Sequence, residues 1–147
     1  MENDSPAKWS EAASDEEPLY FAYSASLRIS GAIPDIDAIT RQLGLDPTHV
    51  HHRGEFRRPG ATPYQADMWI YEAQVGESEP LDRHINHLWD RLRDHKLFIR
   101  QLKASLKVDV FLGYRSNSGT AGVEIPHQSL AIFTELEVPF GLSIIIA

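Results

Sequence analysis

The chain has 147 residues, the span of one domain core, which excludes a large multidomain machine. Hydrophobic residues make up 42% and charged residues 24%, close to the globular norm, so wholesale disorder is excluded as well. With 21 Asp and Glu against 14 Lys and Arg the formal charge is -7, which disfavours a surface built throughout for nucleic acid. The sequence contains no cysteine, so disulfide frameworks, zinc-thiolate sites and thiol nucleophiles drop out, in keeping with a cytoplasmic setting. The N-terminus is acidic and does not read as a secretory signal, and the longest apolar run, Gly141 to Ala147, falls far short of the ~20 residues that cross a bilayer.

In chain order, residues 1–18 carry six acids against Lys8 alone, a net of -5, and predict a flexible acidic tail in which only Trp9 could anchor. The domain is expected over 19–147. Phe21, Tyr23, Ala25, Leu27 and Ile29 alternate with Ser24, Ser26, Arg28 and Ser30, which predicts a half-buried strand. Asp35 reads as a helix cap, with Ile36, Ile39 and Leu43 at helical spacing until Gly44 stops the helix. Val50 to Phe56 and Met68 to Val75 predict an antiparallel pair of strands across a link containing Pro59, Gly60 and Pro63. Pro80 opens a helix along Leu81, Ile85, Leu88 and Leu92, and the same spacing through His95, Ile99, Leu102 and Leu106 predicts a second piece after a break at Asp94-His95-Lys96. Val108 to Tyr114 and Ala121 to Ile125 predict a second hairpin, Pro126 a short helix through Leu130, Phe133 and Leu136, and the C-terminal apolar run a closing buried strand. The order βαββα(α)ββαβ predicts an α+β domain with a mostly antiparallel sheet and helices on one face, ferredoxin-like in single or doubled form.

The stretch Leu27-Arg28-Ile29-Ser30-Gly31, then Ile39-Thr40, Leu43-Gly44-Leu45-Asp46-Pro47, Gly54-Glu55 and Trp69, resembles the bacterial family called domain of unknown function 4279. The helix from Leu81 to Leu92 and the closing Gly141-Leu142-Ser143-Ile144 are also similar, so the resemblance covers nearly everything after residue 19. It implies a shared fold carried by turn glycines and core residues. The family has no assigned chemistry, so the resemblance implies no catalytic residue and no cofactor.

Four clusters could carry function. If Thr48 to Glu55 is a strand, His49, His51 and Glu55 share a face and could hold a transition metal; the plainer reading is a polar edge strand. His84 and His87 lie three apart on the main helix and read as two solvated side chains beside the apolar stripe, with metal contact as the alternative. Between Arg91 and Lys107 six basic residues meet one acid, and Lys96, Arg100 and Lys103 line up as an anion-binding stripe, as plain solvation, or as a dock for the acidic tail. Arg53, Arg57 and Arg58 near Phe56 could stack on bases or pair with carboxylates, while the Ser116-Asn117-Ser118-Gly119 loop lacks the lysine and helix of a phosphate cradle.

Without a nucleophile motif or cofactor fingerprint, the leading expectation is a non-enzymatic cytosolic module that binds a protein partner, of the immunity-protein kind, with the C-terminal strand available for a homodimer. The alternatives are a metal-binding protein or metal-assisted enzyme built on His49, His51 and Glu55, and an anion or nucleic-acid binder built on Lys96, Arg100 and Lys103. No cofactor, no membrane and no dedicated nucleic-acid partner are expected.

Overall fold

β1 is the longest strand of the sheet, Phe21–Gly31, and its alternation decides everything that packs on it. Ala25, Leu27 and Ile29 are buried beneath the helices, and the opposite side carries Ser24, Ser26, Arg28 and Ser30. The computed structural model describes residues 18–120 and 122–147. The predicted tail, with Trp9, falls outside the described residues except for Pro18.

After β1, Asp35 caps α1 (Ile36–Leu43) by accepting from the Ala38 amide, and Gly44 closes it in the left-handed conformation at φ +67°, where a Cβ would be strained. β2 (His49–His51) and β3 (Asp67–Glu72) follow, then α2 (Leu81–Leu92). A 3-10 turn over Arg93–His95 separates α2 from α3 (Lys96–Leu102), the predicted break. β4 (Lys107–Ser116), a 3-10 turn (His127–Leu130), α4 (Ala131–Leu136) and β5 (Phe140–Ile146) complete the chain.

The sheet order is β2-β3-β1-β4-β5. Neighbours among the first four strands are antiparallel, and β5 runs parallel to β4. With α1 crossing from β1 to β2, and β3 lying between them, the first four strands follow a split β-α-β plan. A doubling of that unit is not formed: α4 returns a single strand, β5, to the edge of the same sheet.

Ile39 and Leu43 of α1, Leu81, Ile85, Leu88 and Leu92 of α2, Ile99 of α3, and Ile132 and Leu136 of α4 form one apolar cluster with Leu27, Ile29, Trp69, Val110 and Leu112 of the sheet. Each large side chain buried in full is worth about 1.5–3 kcal/mol. Trp69 also donates its indole N–H to the Thr40 hydroxyl, fixing α1 against β3.

Four predicted elements differ. The closing strand, expected to be buried, forms as β5 but at the edge of the sheet, so Phe140, Leu142, Ile144, Ile145 and Ile146 stay more than half exposed. The second hairpin does not form: β4 has β1 on one edge and β5 on the other, so Gly122 to Ile125 have no edge to pair with, and Ala121 lies outside the described residues. The strand predicted to reach Phe56 stops at His51, because the main chain turns into a small flap closed by Gly54 N–H to Tyr64 C=O and Tyr64 N–H to Glu55 C=O. The strand predicted to reach Val75 ends at Glu72, since Ala73 and Glu77, four apart, bond to Ala25 and Tyr23, two apart, and the extra residues bulge out of the ladder.

Candidate functional site

Every helix of the described residues joins the core on one side of the sheet, which leaves the other side without a helix. The register places His49 and His51, Ile70 and Glu72, Ser26 and Arg28, Asp109, Phe111 and Arg115, and Ser143 and Ile145 on this open face. At its centre Arg28 and Asp109 sit opposite each other on β1 and β4. The guanidinium donates from Nε to Oδ1 at 2.9 Å and from Nη2 to Oδ2 at 2.9 Å, a bidentate pair. The Asp109 side chain is only 8% exposed and that of Arg28 29%. The hydrogen bonds from Arg28 to Asp109 raise the Arg28 pKa above its ordinary value against the opposing effect of burial.

Phe111 completes the unit. The Arg28 guanidinium lies 4.0 Å from the centre of its ring. On the neighbouring strand Gly141 leaves the room the ring needs, since a Cβ there would stand 2.6 Å from Phe111 Cδ1. Chain position, register and a missing side chain together lock a charged, aromatic patch in the middle of the face.

Toward the start of β1 the face dips into a shallow groove of about 320 Å³ bordered by Ser24, Glu72, Glu77, Phe111, Arg115 and Ser143. Arg115 and Glu77 approach to 3.8 Å at its rim. Two carboxylates, one guanidinium, two hydroxyls and an aromatic edge offer hydrogen bonds of both signs and one apolar contact.

The imidazole cluster lies at the β2 edge. His49 Nε2 and His51 Nδ1 are hydrogen-bonded at 2.9 Å, and His51 stacks on Tyr64 with ring centres 3.5 Å apart. Burial first, and the neighbouring His49 second, push the His51 pKa below its ordinary value. Glu55 does not converge on them: its carboxylate accepts from the His52 amide. Among the described residues no three His, Asp or Glu side chains are grouped as a metal site requires. Asp67 accepts from the Arg53 and Ile33 amides, which hold its carboxyl below the usual range. The side chains of Arg53, Arg57 and Arg58 are exposed at the flap, and among the described residues none is in an ion pair.

The basic stripe is occupied from within. Lys96 Nζ donates to Glu135 Oε1 at 2.9 Å and Arg100 Nε to the Glu135 carbonyl at 2.8 Å. Arg100 also lies 3.6 Å from the Glu137 carboxylate, and Lys103 donates to the Glu137 carbonyl. Lys96 and Arg100 of α3 and Lys103 just after it thus clamp the negative end of α4, where Glu137 takes the left-handed conformation at φ +57°. Hydrogen bonding to Lys96 lowers the Glu135 pKa. The partner of the stripe is α4, which the basic spacing alone could not name.

The histidines of α2 differ from their predicted solvation. His84 is 1% exposed, with Nε2 bonded to the Glu79 carbonyl, and His87 Nε2 meets the Tyr71 hydroxyl at 3.1 Å. The buried face of α2 is wider than the stripe of leucines suggests. His95 lies in the 3-10 turn between α2 and α3. The Ser116-Asn117 loop ties down the lead into β1, with Ser116 Oγ donating to Tyr20 C=O and Asn117 Oδ1 accepting from Tyr20 N–H.

The sequence signal for Arg28 and Asp109 is their position: Arg28 between Leu27 and Ile29, Asp109 between Val108 and Val110, opposite charges set into two apolar strands. That contrast was a signal that the two strands are neighbours.

A family model described as Domain of unknown function (DUF4279) matches residues 21–146, from the start of β1 to the end of β5. No curated protein matches, and no solved structure matches.

Proposed function

We propose that this chain, which belongs to the family described as Domain of unknown function (DUF4279), is a non-enzymatic module that binds a partner protein through the open face of its sheet. The carrying observation is the locked Arg28–Asp109–Phe111 patch, a desolvated and ordered array on the side of the sheet where the described residues place no helix. An ordered patch spends little conformational entropy on binding, and charged and aromatic groups in fixed positions give an interface its specificity. The groove beside it adds exposed Glu72 and Arg115 as rim contacts. In this reading the four-strand unit is a ferredoxin-like scaffold, the setting is cytoplasmic, and an immunity-type role, in which the partner is a toxin, is an analogy of size and charge.

The test is capture of partners from the native cytosol by the full chain, a Glu72→Lys/Arg115→Glu variant of the open face, and an Asp90→Lys variant of the exposed surface of α2. Support is a defined protein that is retained by wild type and by Asp90→Lys and lost from the double variant. Capture that is the same with all three chains, or lost only with Asp90→Lys, moves binding off the open face.

A further inference from the structure

The two edges of the sheet are built differently. β2 is three residues long and polar, carries His49 and His51, and runs into the flap, features that discourage pairing with another chain. β5 has none of these protections. It is seven residues long, and the span Val138 to Ala147 contains no charged side chain and no proline after Pro139. Phe140, Leu142, Ile144, Ile145 and Ile146 are between 51% and 60% exposed.

The hydrogen-bond directions can be followed along this strand. The Pro139 carbonyl accepts from the Val110 amide, and the Ala147 amide donates to the Ser116 carbonyl. In a parallel ladder alternate residues serve the same neighbour, so the odd-numbered positions direct their main chain to β4. Phe140, Leu142, Ile144 and Ile146 therefore direct their N–H and C=O groups at the outer edge of the sheet, where no strand of the described residues pairs with them. The same four side chains stand on the helix side of the sheet, in register with Val110, Leu112, Tyr114 and Ser116.

We propose that this edge is a homodimer interface, formed by antiparallel pairing of β5 with β5 of a second copy about a two-fold axis at Ser143. That register sets Phe140 opposite Ile146 and Leu142 opposite Ile144, so that all four outward residues of each copy exchange main-chain hydrogen bonds and their apolar side chains meet one another, while Ile145 lies across from Gly141 on the other side of the sheet. A strand without charge does not repel its own copy, and a two-fold contact is self-complementary and closes at two. With about 200 Å² for a large side chain, five half-exposed residues offer about 500 Å² per copy, so two copies reach the ~1,000 Å² that a specific interface needs. The axis stands perpendicular to the sheet. All helices fall on one side and both Arg28–Asp109 patches on the other, in one ten-stranded sheet. This inference stands apart from the binding role proposed for the open face.

Sedimentation of the full chain across micromolar to millimolar concentration, with amide exchange by residue, tests it. The expected species has twice the 16.6 kDa of one chain, with the outward amides of Leu142 and Ile144 as protected as the inward amides of Ser143 and Ile145. Ile144→Lys, at a position 60% exposed, is expected to weaken the dimer at least about 100-fold, because each copy would set a charge against the partner's apolar strand. In that variant only the outward amides lose protection. A wild type that stays at 16.6 kDa overturns the proposal, whether its outward amides exchange freely or are protected by another segment of the same chain. A dimer in which those amides exchange freely also overturns it, since the interface then lies elsewhere. The wild-type measurements decide the matter even if the variant fails to fold.

Discussion

Removing Asp109 alone should harm the protein more than removing the pair it belongs to. In Asp109→Ala the Arg28 guanidinium keeps its place over the Phe111 ring and loses both hydrogen bonds, each 2.9 Å long. Breaking a buried pair from one side costs 3–5 kcal/mol where the remaining charge is fully enclosed. Arg28 keeps 29% of its side chain in solvent and its contact with Phe111, so about 2–3 kcal/mol is the expected loss. Replacing both partners with apolar groups of similar length, Arg28→Met/Asp109→Val, removes the desolvation of two charges together and should fall within about 1 kcal/mol of wild type. Urea unfolding of wild type, Arg28→Met, Asp109→Val and the double variant gives the double-mutant cycle directly, with Asp109→Ala measured beside them. An Asp109→Ala loss below about 1 kcal/mol, or a double variant as unstable as the sum of the singles, would show that the pair is solvated and that the face has no desolvated centre.

Gly141→Ala should cost about 1–3 kcal/mol by driving Phe111 from its seat, with Phe111→Leu restoring part of it in a thermal melt; a neutral Gly141→Ala would refute the close contact. Arg100→Ala should lose about 1–2 kcal/mol and speed exchange of the Val138 amide, which bonds to Phe133 at the end of α4, while Arg58→Ala at the flap stays within about 0.5 kcal/mol. Equal effects of the two would return α3 to a solvated stripe. His51 and His87 both have pKa values below the ordinary one, chiefly through burial, so the unfolded chain takes up their protons first as pH falls. Their contribution is complete above about pH 6.5 and is lost as pH drops through the folded values, so His51→Asn/His87→Asn should flatten the decline of the urea midpoint between pH 7.5 and 5.5. An unchanged slope would assign the acid sensitivity to other groups.

The elements that depend on local chemistry were legible from residues alone. The Asp35 cap, the Gly44 stop, the leucine spacing of α2 and its break before Lys96 each act within one or two turns of chain, and each appears where its residues place it. The α+β class followed from the order of such pieces. What periodicity does not carry is which edge a strand meets. Gly122 to Ile125 resemble a strand and remain unpaired because β5 holds that edge of β4. The candidate site was hidden for the same reason: Arg28 and Asp109 are 81 residues apart, and only the register joins them. The basic stripe shows the converse, a correct alignment of Lys96, Arg100 and Lys103 whose partner, the end of α4, lay beyond the reach of spacing.

The central position of β1 also has a cost during synthesis. Its ladder with β4 joins residues 77 to 95 positions apart, from Ser30 with Lys107 to Phe21 with Ser116. A ribosome must deliver most of the polypeptide before the strand that leaves it first gains its second neighbour, although α2 can coil as soon as it emerges. Through that interval Leu27 and Ile29 sit beside an open edge, the condition under which nascent chains stick to one another. Translation arrested before Lys107 should therefore yield insoluble fragments, and a soluble fragment would show that β1 is protected without β4.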